Sequence, residues 1–248
     1  MSRPSTSNTC ITTTAMPRPE LIGPTYQSFQ ERMPWLDFKK MTLFLSVDRL
    51  PDTTGVAETA EVIRIARTFF GKVVCRNEET LVTNIPNFSL AVQWLFTNAN
   101  SEFVFHLEDD WLLLSDIPES IGEFFDNEKI MQVSFRAWKI SNPRFCLSPN
   151  IMRTSFCNLM AKSLNPSKNP ENQIRAANPY KPEDVFIYWP FEEEKVILQD
   201  TGRTWMKKTN FARGGDEFTK WNIVRNPLAL EREQKIRDQN AEIDRSKL

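Results

Sequence analysis

The sequence predicts an α/β fold in which a mixed, largely parallel sheet carries helices on both faces. Two observations predict it. Short apolar runs alternate with helix-period segments through the first half of the chain, the pattern of strands linked by crossover helices. The 248 residues are 40% hydrophobic and 25% charged, which suits one sizeable globular domain rather than a disordered chain.

The elements follow in order. Cys10–Thr13 is β-branched and reads as a strand, leading into a proline-rich turn at Met16–Pro19. Glu20–Arg32 sets Leu21, Tyr26 and Phe29 at near-helical spacing. Met41–Val47 is a continuous apolar run, a buried strand ending at Asp48. Val56–Phe70 gathers Val62, Ile63 and Ala66 on one face of an amphipathic helix. Lys72–Cys75 is a short strand, and Phe88–Asn98 a helix with Ala91, Trp94 and Leu95 on one side. Phe103–Leu107 is a strand running straight into Glu108, Asp109 and Asp110.

The second half is less regular. Ile130–Phe135, Phe145–Leu147 and Lys195–Leu198 read as strands, and Ser155–Leu164 as a helix. Asn165–Pro182 reads as loops around one short helix. Glu231–Arg245 pairs Glu231 with Lys235 and Glu233 with Arg237 at i,i+4, a solvated polar helix. With no internal repeat, residues 1–226 are expected to form one domain and 227–248 a polar C-terminal helix or tail.

Scarcity excludes several functions. With 7 glycines and no G-x-G, both the dinucleotide fingerprint and the P-loop are missing. A single histidine, His106, rules out multi-histidine zinc sites and leaves a serine triad one possible base. Four cysteines without a C-x-x-C pair read as reduced thiols in a cytoplasm. No apolar run approaches the ~20 residues of a spanning helix, and residues 1–9 carry no signal-peptide core. A cytoplasmic protein without membrane contact is the expectation.

A net charge of −1 hides separate blocks: 101–135 holds nine acidic residues and one basic, whereas 136–182 holds eight basic and one acidic. An acid cluster facing basic segments suits a metal ion holding a phosphorylated ligand; alternating solvated loops are the plainer explanation. Glu108-Asp109-Asp110 is the sharpest feature. Three neighbouring carboxylates after a buried strand repel one another unless a cation joins them. Hard oxygen donors in a histidine-poor chain favour Mg²⁺ or Mn²⁺, with open positions for diphosphate oxygens. A surface acidic turn capping a helix is the alternative.

Strand, acidic triplet and Trp111 resemble the metal-binding DxD-type motif of GT-A-fold glycosyltransferases in a variant reading EDDW. Other segments fall in that family's order: Cys10–Thr14 with Arg18-Pro19-Glu20-Leu21, then Leu45–Asp48, then Asn87–Trp94. The likeness runs from about Thr9 to Trp205 and is greatest for compact viral and phage members. It implies a Rossmann-like GT-A sheet and a metal-dependent glycosyltransferase using a nucleoside-diphosphate sugar, a UDP-sugar favoured. It implies that Asp110 ligates the metal, with Glu108 or Asp109 assisting or binding the donor ribose. Thr12, Thr13, Arg18, Asp48 and Asn87 would hold the donor. The viral likeness implies a glycan, a protein or hydroxymethylated DNA as acceptor. The motif here is Glu-x-Asp, so the division of labour among the three acids stays open.

An inverting transfer needs a base at the acceptor hydroxyl. Glu171 is the one acid between Arg136 and Pro182, and Asp184 is the reserve; a helix N-terminus explains Glu171 equally well. Gln199–Lys208 resembles a D-x-G-x-x-W segment of the related viral enzymes. Its Arg203 and Lys207 would clamp the leaving diphosphate, unless the segment is only a tight turn with solvated lysines. Trp111 and Trp138 are candidates for stacking on a sugar or base. His106 is expected on the Glu108 side of its strand, in a structural role rather than the alternative of a direct ligand. A nucleotidyltransferase and a non-catalytic nucleotide-sugar-binding module of the same fold are the rival classes.

Overall fold

A computed structural model of the chain describes residues 2–48, 56–76, 88–136, 143–190, 196–209, 211–213 and 223–225. The strands in chain order are β1 (Thr9–Ala15), β2 (Thr42–Val47), β3 (Lys72–Cys75), β4 (Phe103–Glu108), β5 (Trp111–Leu113), β6 (Gln132–Ser134), β7 (Asn150–Arg153) and β8 (Phe186–Tyr188). All but β5 join one sheet in the order β3-β2-β1-β4-β7-β6-β8. β1 is parallel to β2 and β4, β2 to β3, and β6 to β8. β7 alone is reversed, antiparallel to β4 and β6. β5 instead pairs antiparallel with β9 (Leu198–Asp200), and β10 (Phe211–Arg213) with β11 (Ile223–Arg225).

Helices cover both faces. α1 (Pro19–Arg32) and α2 (Val56–Phe69) pack together on one, and α3 (Phe88–Asn98) and α4 (Thr154–Ala161) on the other. Alternation along β1 sets the division. Ile11 joins a core with Ile22, Phe29, Val62 and Phe105, while Cys10 joins a second with Phe44, Val92, Phe96 and Val104. Both faces of β1 are therefore buried along its whole length, which is why that segment reads as an unbroken β-branched run. In the first core Phe105 lies edge-on to Phe29, Phe38 and Phe135 at ring separations of 5.6, 6.4 and 5.9 Å. Among the described residues, no helix is long and apolar enough to cross a membrane. The four cysteines are unbridged.

The elements from β1 to β4 match the sequence reading within a residue or two, with one shift of face. On α1 the buried position is Ile22 rather than Leu21. Later differences have a local cause. Phe145–Leu147 is buried but is not a strand. Its backbone is held by side chains: the Cys146 N–H donates to Gln132 Oε1 (3.2 Å) and the Leu147 N–H to Glu171 Oε1 (2.7 Å). The strand lies just beyond, at β7. Ile130–Phe135 contributes only three ladder residues, β6. The short helix expected within 165–182 is α5 (Pro170–Ala177), and a further turn, α6 (Pro182–Val185), follows. The polar tail at 227–248 lies outside the described residues.

His106 is fully buried on β4 between Thr12, whose hydroxyl is 2.9 Å from Nδ1, and the Phe96 ring. Burial pulls its pKa down to about 3 from an ordinary 6.5. The unfolded chain therefore binds a proton that the folded chain refuses, so stability is lost as pH falls from 6.5 toward 3. Asp109, pushed upward by burial, acts in the opposite sense between 3.8 and about 6. A difference measurement separates the two. Relative to His106→Asn, the wild-type chain is expected to lose about 1.4 kcal/mol per pH unit below pH 6.5 and nothing above pH 7, read by chemical unfolding at several pH values. Phe105→Ala is expected to cost about 3–5 kcal/mol in the same assay.

Candidate active site

The parallel strands β1, β2 and β4 end side by side, the position where open α/β sheets bind ligands. Register brings Thr14 of β1 opposite both Ser46 of β2 and Glu108 of β4. The residues at and after each strand end form a small cleft, partly open to solvent. Thr14, Ala15, Met16 and Arg18 line it from the β1 side, Asp48 from β2, and Glu108 to Asp110 from β4. Phe88, at the start of α3, completes the wall. Asp48 is buried, its N–H tied to the Ala15 carbonyl at 2.8 Å.

The three acids have different surroundings. Glu108 is half-buried, and its Oε2 accepts a hydrogen bond from Trp111 Nε1 at 2.7 Å. Asp109 turns inward. Its Oδ1 accepts from Arg18 Nη2 at 2.5 Å, and Oδ2 from Arg18 Nε at 3.2 Å and the Met16 N–H at 3.1 Å. Its own backbone is fixed as well, the N–H to the Thr14 carbonyl and the carbonyl by the Thr25 hydroxyl. Asp110 gives Oδ2 to the same Arg18 Nη2 at 3.0 Å; Oδ1 has no hydrogen bond among the described residues. Burial pushes the Asp109 carboxyl up to about 6, opposed by the Arg18 guanidinium and helped by the Asp110 charge. The two carboxylates hold the buried guanidinium firmly protonated.

The chain returns from far downstream to cover this cluster. The Thr201 N–H and hydroxyl both donate to the Asp110 carbonyl, at 2.8 and 2.9 Å. α7 (Gly202–Thr209) starts directly on the Asp110 side chain. A Cβ on Gly202 would lie 2.0 Å from Asp110 Oδ2, 2.8 Å from Cγ and 3.1 Å from Cβ. One turn on, the Trp205 ring lies 5.2 Å from the Arg18 guanidinium, and its Nε1–H donates to Glu20 Oε1. In this segment the glycine abuts Asp110 and the tryptophan lies on the Arg18 guanidinium. Arg203 is exposed and pairs with Asp200 at 3.0 Å. Lys207 belongs to α7, but its side chain lies outside the described residues.

Among the described residues, no three His, Cys, Asp or Glu side chains converge as a closed metal cage. The donor set still fits Mg²⁺ or Mn²⁺, which take one or two carboxylates and fill their shell with water and substrate phosphates. Asp110 Oδ1 and the Glu108 carboxylate are the two that line the cleft without being locked as Asp109 is.

The other expected site residues fall in several places. Thr12 and Thr13 are completely buried and are not among the cleft-lining residues, because strand alternation turns one to His106 and the other toward Tyr26. The β1 residues that reach the cleft are the next ones, Thr14 to Met16. Arg18 lines the cleft but is engaged by Asp109 and Asp110. Trp111 is buried, with the Arg136 guanidinium 5.0 Å over its ring, so no face is left for a sugar. Asn87 and Trp138 lie outside the described residues. Glu171 opens α5, half-buried, with Oε2 near Arg175 at 3.4 Å; Asp184 is exposed on α6. Neither lines the cleft. The sequence reading missed Thr25 and Phe88, small or apolar residues with no charge to mark them.

No protein-family model matches the chain, and no curated protein matches it. Solved structures do. The mannosyltransferase PcManGT from Pyrobaculum calidifontis, in complex with GDP-Man and Mn²⁺, is similar with a TM-score of 0.55 and 13% identity over 77% of this chain and 56% of that one. S. aureus TarS 1-349 is similar with a TM-score of 0.53 and 15% identity over 77% of this chain and 60% of that one. Its complex with UDP-GlcNAc gives 0.53 and 14%, over 77% and 57%. The fold is therefore the mixed α/β GT-A architecture of these proteins, and this chain spans 56–60% of their lengths. The expected likeness to viral and phage members, with its DNA acceptor, finds no support in these matches.

Gly202→Ala is expected to cost about 1–3 kcal/mol of unfolding free energy, since the clash reaches Asp110 Cβ and rotating the carboxylate does not relieve it.

Proposed function

We propose that the protein is a metal-dependent glycosyltransferase that moves a sugar from a nucleoside-diphosphate donor to an acceptor hydroxyl. The observation that carries this reading is the Asp110 carboxylate at the end of β4. It lines a cleft at the carboxyl ends of parallel strands, with one oxygen held by Arg18 and the other without a hydrogen bond. The GT-A fold supports it, as do the GDP-Man with Mn²⁺ and the UDP-GlcNAc bound by the two similar proteins.

In this reading Asp110 and Glu108 would hold Mg²⁺ or Mn²⁺, which when bound would supply positive charge to the diphosphate. Trp111 fixes Glu108 through its indole N–H, and Asp48 borders the nucleoside end of the cleft. Glu171 is the proposed base. Its Oε1 accepts from the Leu147 N–H; the next residue, Ser148, accepts from Arg136 Nη1 at 3.1 Å; and Arg136 lies over Trp111, the residue that holds Glu108. That run of contacts links Glu171 to the residue that fixes Glu108, although Glu171 does not itself line the cleft; as base it would have to meet the acceptor outside that lining. There it would take the acceptor hydroxyl proton while the oxygen attacks the anomeric carbon and the nucleoside diphosphate leaves.

Asp110→Asn is expected to abolish Mn²⁺-dependent binding of nucleotide sugars in a calorimetric panel of UDP- and GDP-sugars, and transfer with it. Equal donor binding with and without Mn²⁺ in the wild-type chain would remove the metal from the mechanism. Glu171→Gln is expected to lower kcat about 10²–10⁴-fold while leaving Mn²⁺-dependent donor binding in place. Survival of transfer in that variant would move the base to another acid, with Asp184 next to be tested.

A further inference from the structure

Arg18 was expected to be a donor ligand, yet three of its interactions run to protein carboxylates. Nε and Nη2 grip Asp109, and the same Nη2 reaches Asp110 Oδ2 at 3.0 Å. The side chain is 4% exposed, its plane is covered by Trp205, and Nη1 makes no hydrogen bond among the described residues. The Asp109 carboxylate, held by Arg18 and the Met16 N–H, cannot turn toward a cleft ion without breaking these contacts. One fixed cation thus sits where a second positive charge would sit beside Asp110.

We propose that Arg18 is a positioning residue that couples the cation to the donor: by holding Asp110 Oδ2 it keeps the cleft a weak site for a divalent ion alone and a strong one for ion and diphosphate together. The inference rests on the glycosyltransferase reading. A carboxylate that shares an oxygen with a guanidinium donates less charge to a metal, so Asp110 by itself binds the ion poorly. A diphosphate in the cleft brings its own oxygens to the ion and an acceptor for Nη1. Each partner then improves the other's binding, and by linkage the factor is the same whichever binds first. Arg18 acts through Asp110 and through charge, and it need not touch the sugar.

The test uses the full chain and two probes, Mn²⁺ alone and Mn²⁺ with a nucleoside diphosphate, with affinities measured by titration calorimetry and by the electron paramagnetic resonance of free Mn²⁺. Arg18→Lys keeps a charge for Asp109 but loses the second grip on Asp110. It is expected to bind Mn²⁺ alone about tenfold more tightly than wild type, and the nucleoside diphosphate with Mn²⁺ about tenfold more weakly. With the nucleoside diphosphate's affinity in the absence of Mn²⁺ unchanged, the coupling factor then falls about tenfold. A merely structural residue would lower both affinities together; that result, or two unchanged affinities in a folded variant, overturns the proposal. Should Arg18→Lys fail to fold, the double variant Arg18→Met/Asp109→Asn removes the pair without stranding a buried charge, and the same two affinities decide. If wild type itself binds no nucleotide with Mn²⁺, the glycosyltransferase reading falls first. If wild type binds but Arg18→Lys leaves the coupling intact, only the role given to Arg18 falls.

Discussion

Two adjacent carboxylates at the end of a buried strand repel each other, and burial removes the water that would screen them. Arg18 resolves this by pairing with both Asp109 and Asp110 from the turn after β1. Much of the local architecture serves that contact. The Met16 N–H and the Thr25 hydroxyl hold Asp109, Trp205 covers the guanidinium, and Glu20 in turn holds Trp205. Breaking a buried pair of this kind by removing one partner typically costs ~3–5 kcal/mol, because it leaves an uncompensated charge. The cluster is thus part of the fold's cohesion. Asp109 is wholly taken up in it, whereas Asp110 keeps one oxygen without a hydrogen bond among the described residues.

The sheet explains why these groups meet at all. β1 lies between β2 and β4, so its last residues are flanked by Asp48 on one side and by Glu108 on the other. The reversed strand β7 begins beside His106, so the segment before it, 143–149, crosses the same end of the sheet. That segment is fastened by Gln132, Glu171 and the Tyr188 hydroxyl, which also accepts the Arg144 N–H at 2.9 Å. The cleft itself is walled by the strand ends, the turn after β1 and Phe88.

These differences set what was legible in the sequence. β1, β2 and β4 are buried on both faces and end at polar or acidic residues, so their position and the acidic end of β4 could be read directly. Phe145–Leu147 is equally apolar, but its backbone partners are the side chains of Gln132 and Glu171, which no local pattern marks. Thr12 and Thr13 were placed one step too early, because the residue at which β1 leaves the sheet depends on pairing with β2 and β4. The role of Arg18 was hidden for another reason. A charged residue in a turn reads as exposed, and only the approach of Asp109, 91 residues away, shows that it is buried. Gly202 stands in the sequence only as the glycine of the D-x-G-x-x-W resemblance, while its actual requirement, close approach to Asp110, is a fact of tertiary packing.

The closure of the acidic cluster by Thr201, Gly202 and Trp205 bears on how the protein is made. Its strand-end acids and Arg18 leave the ribosome early, yet their cover is translated only after nearly the whole sheet exists. A nascent chain can stack β1 through β8 and still lack the finished pocket. The cover of the acidic cluster therefore forms last, and proteolysis that clips the segment after β9 would lay Asp110 and Arg18 open.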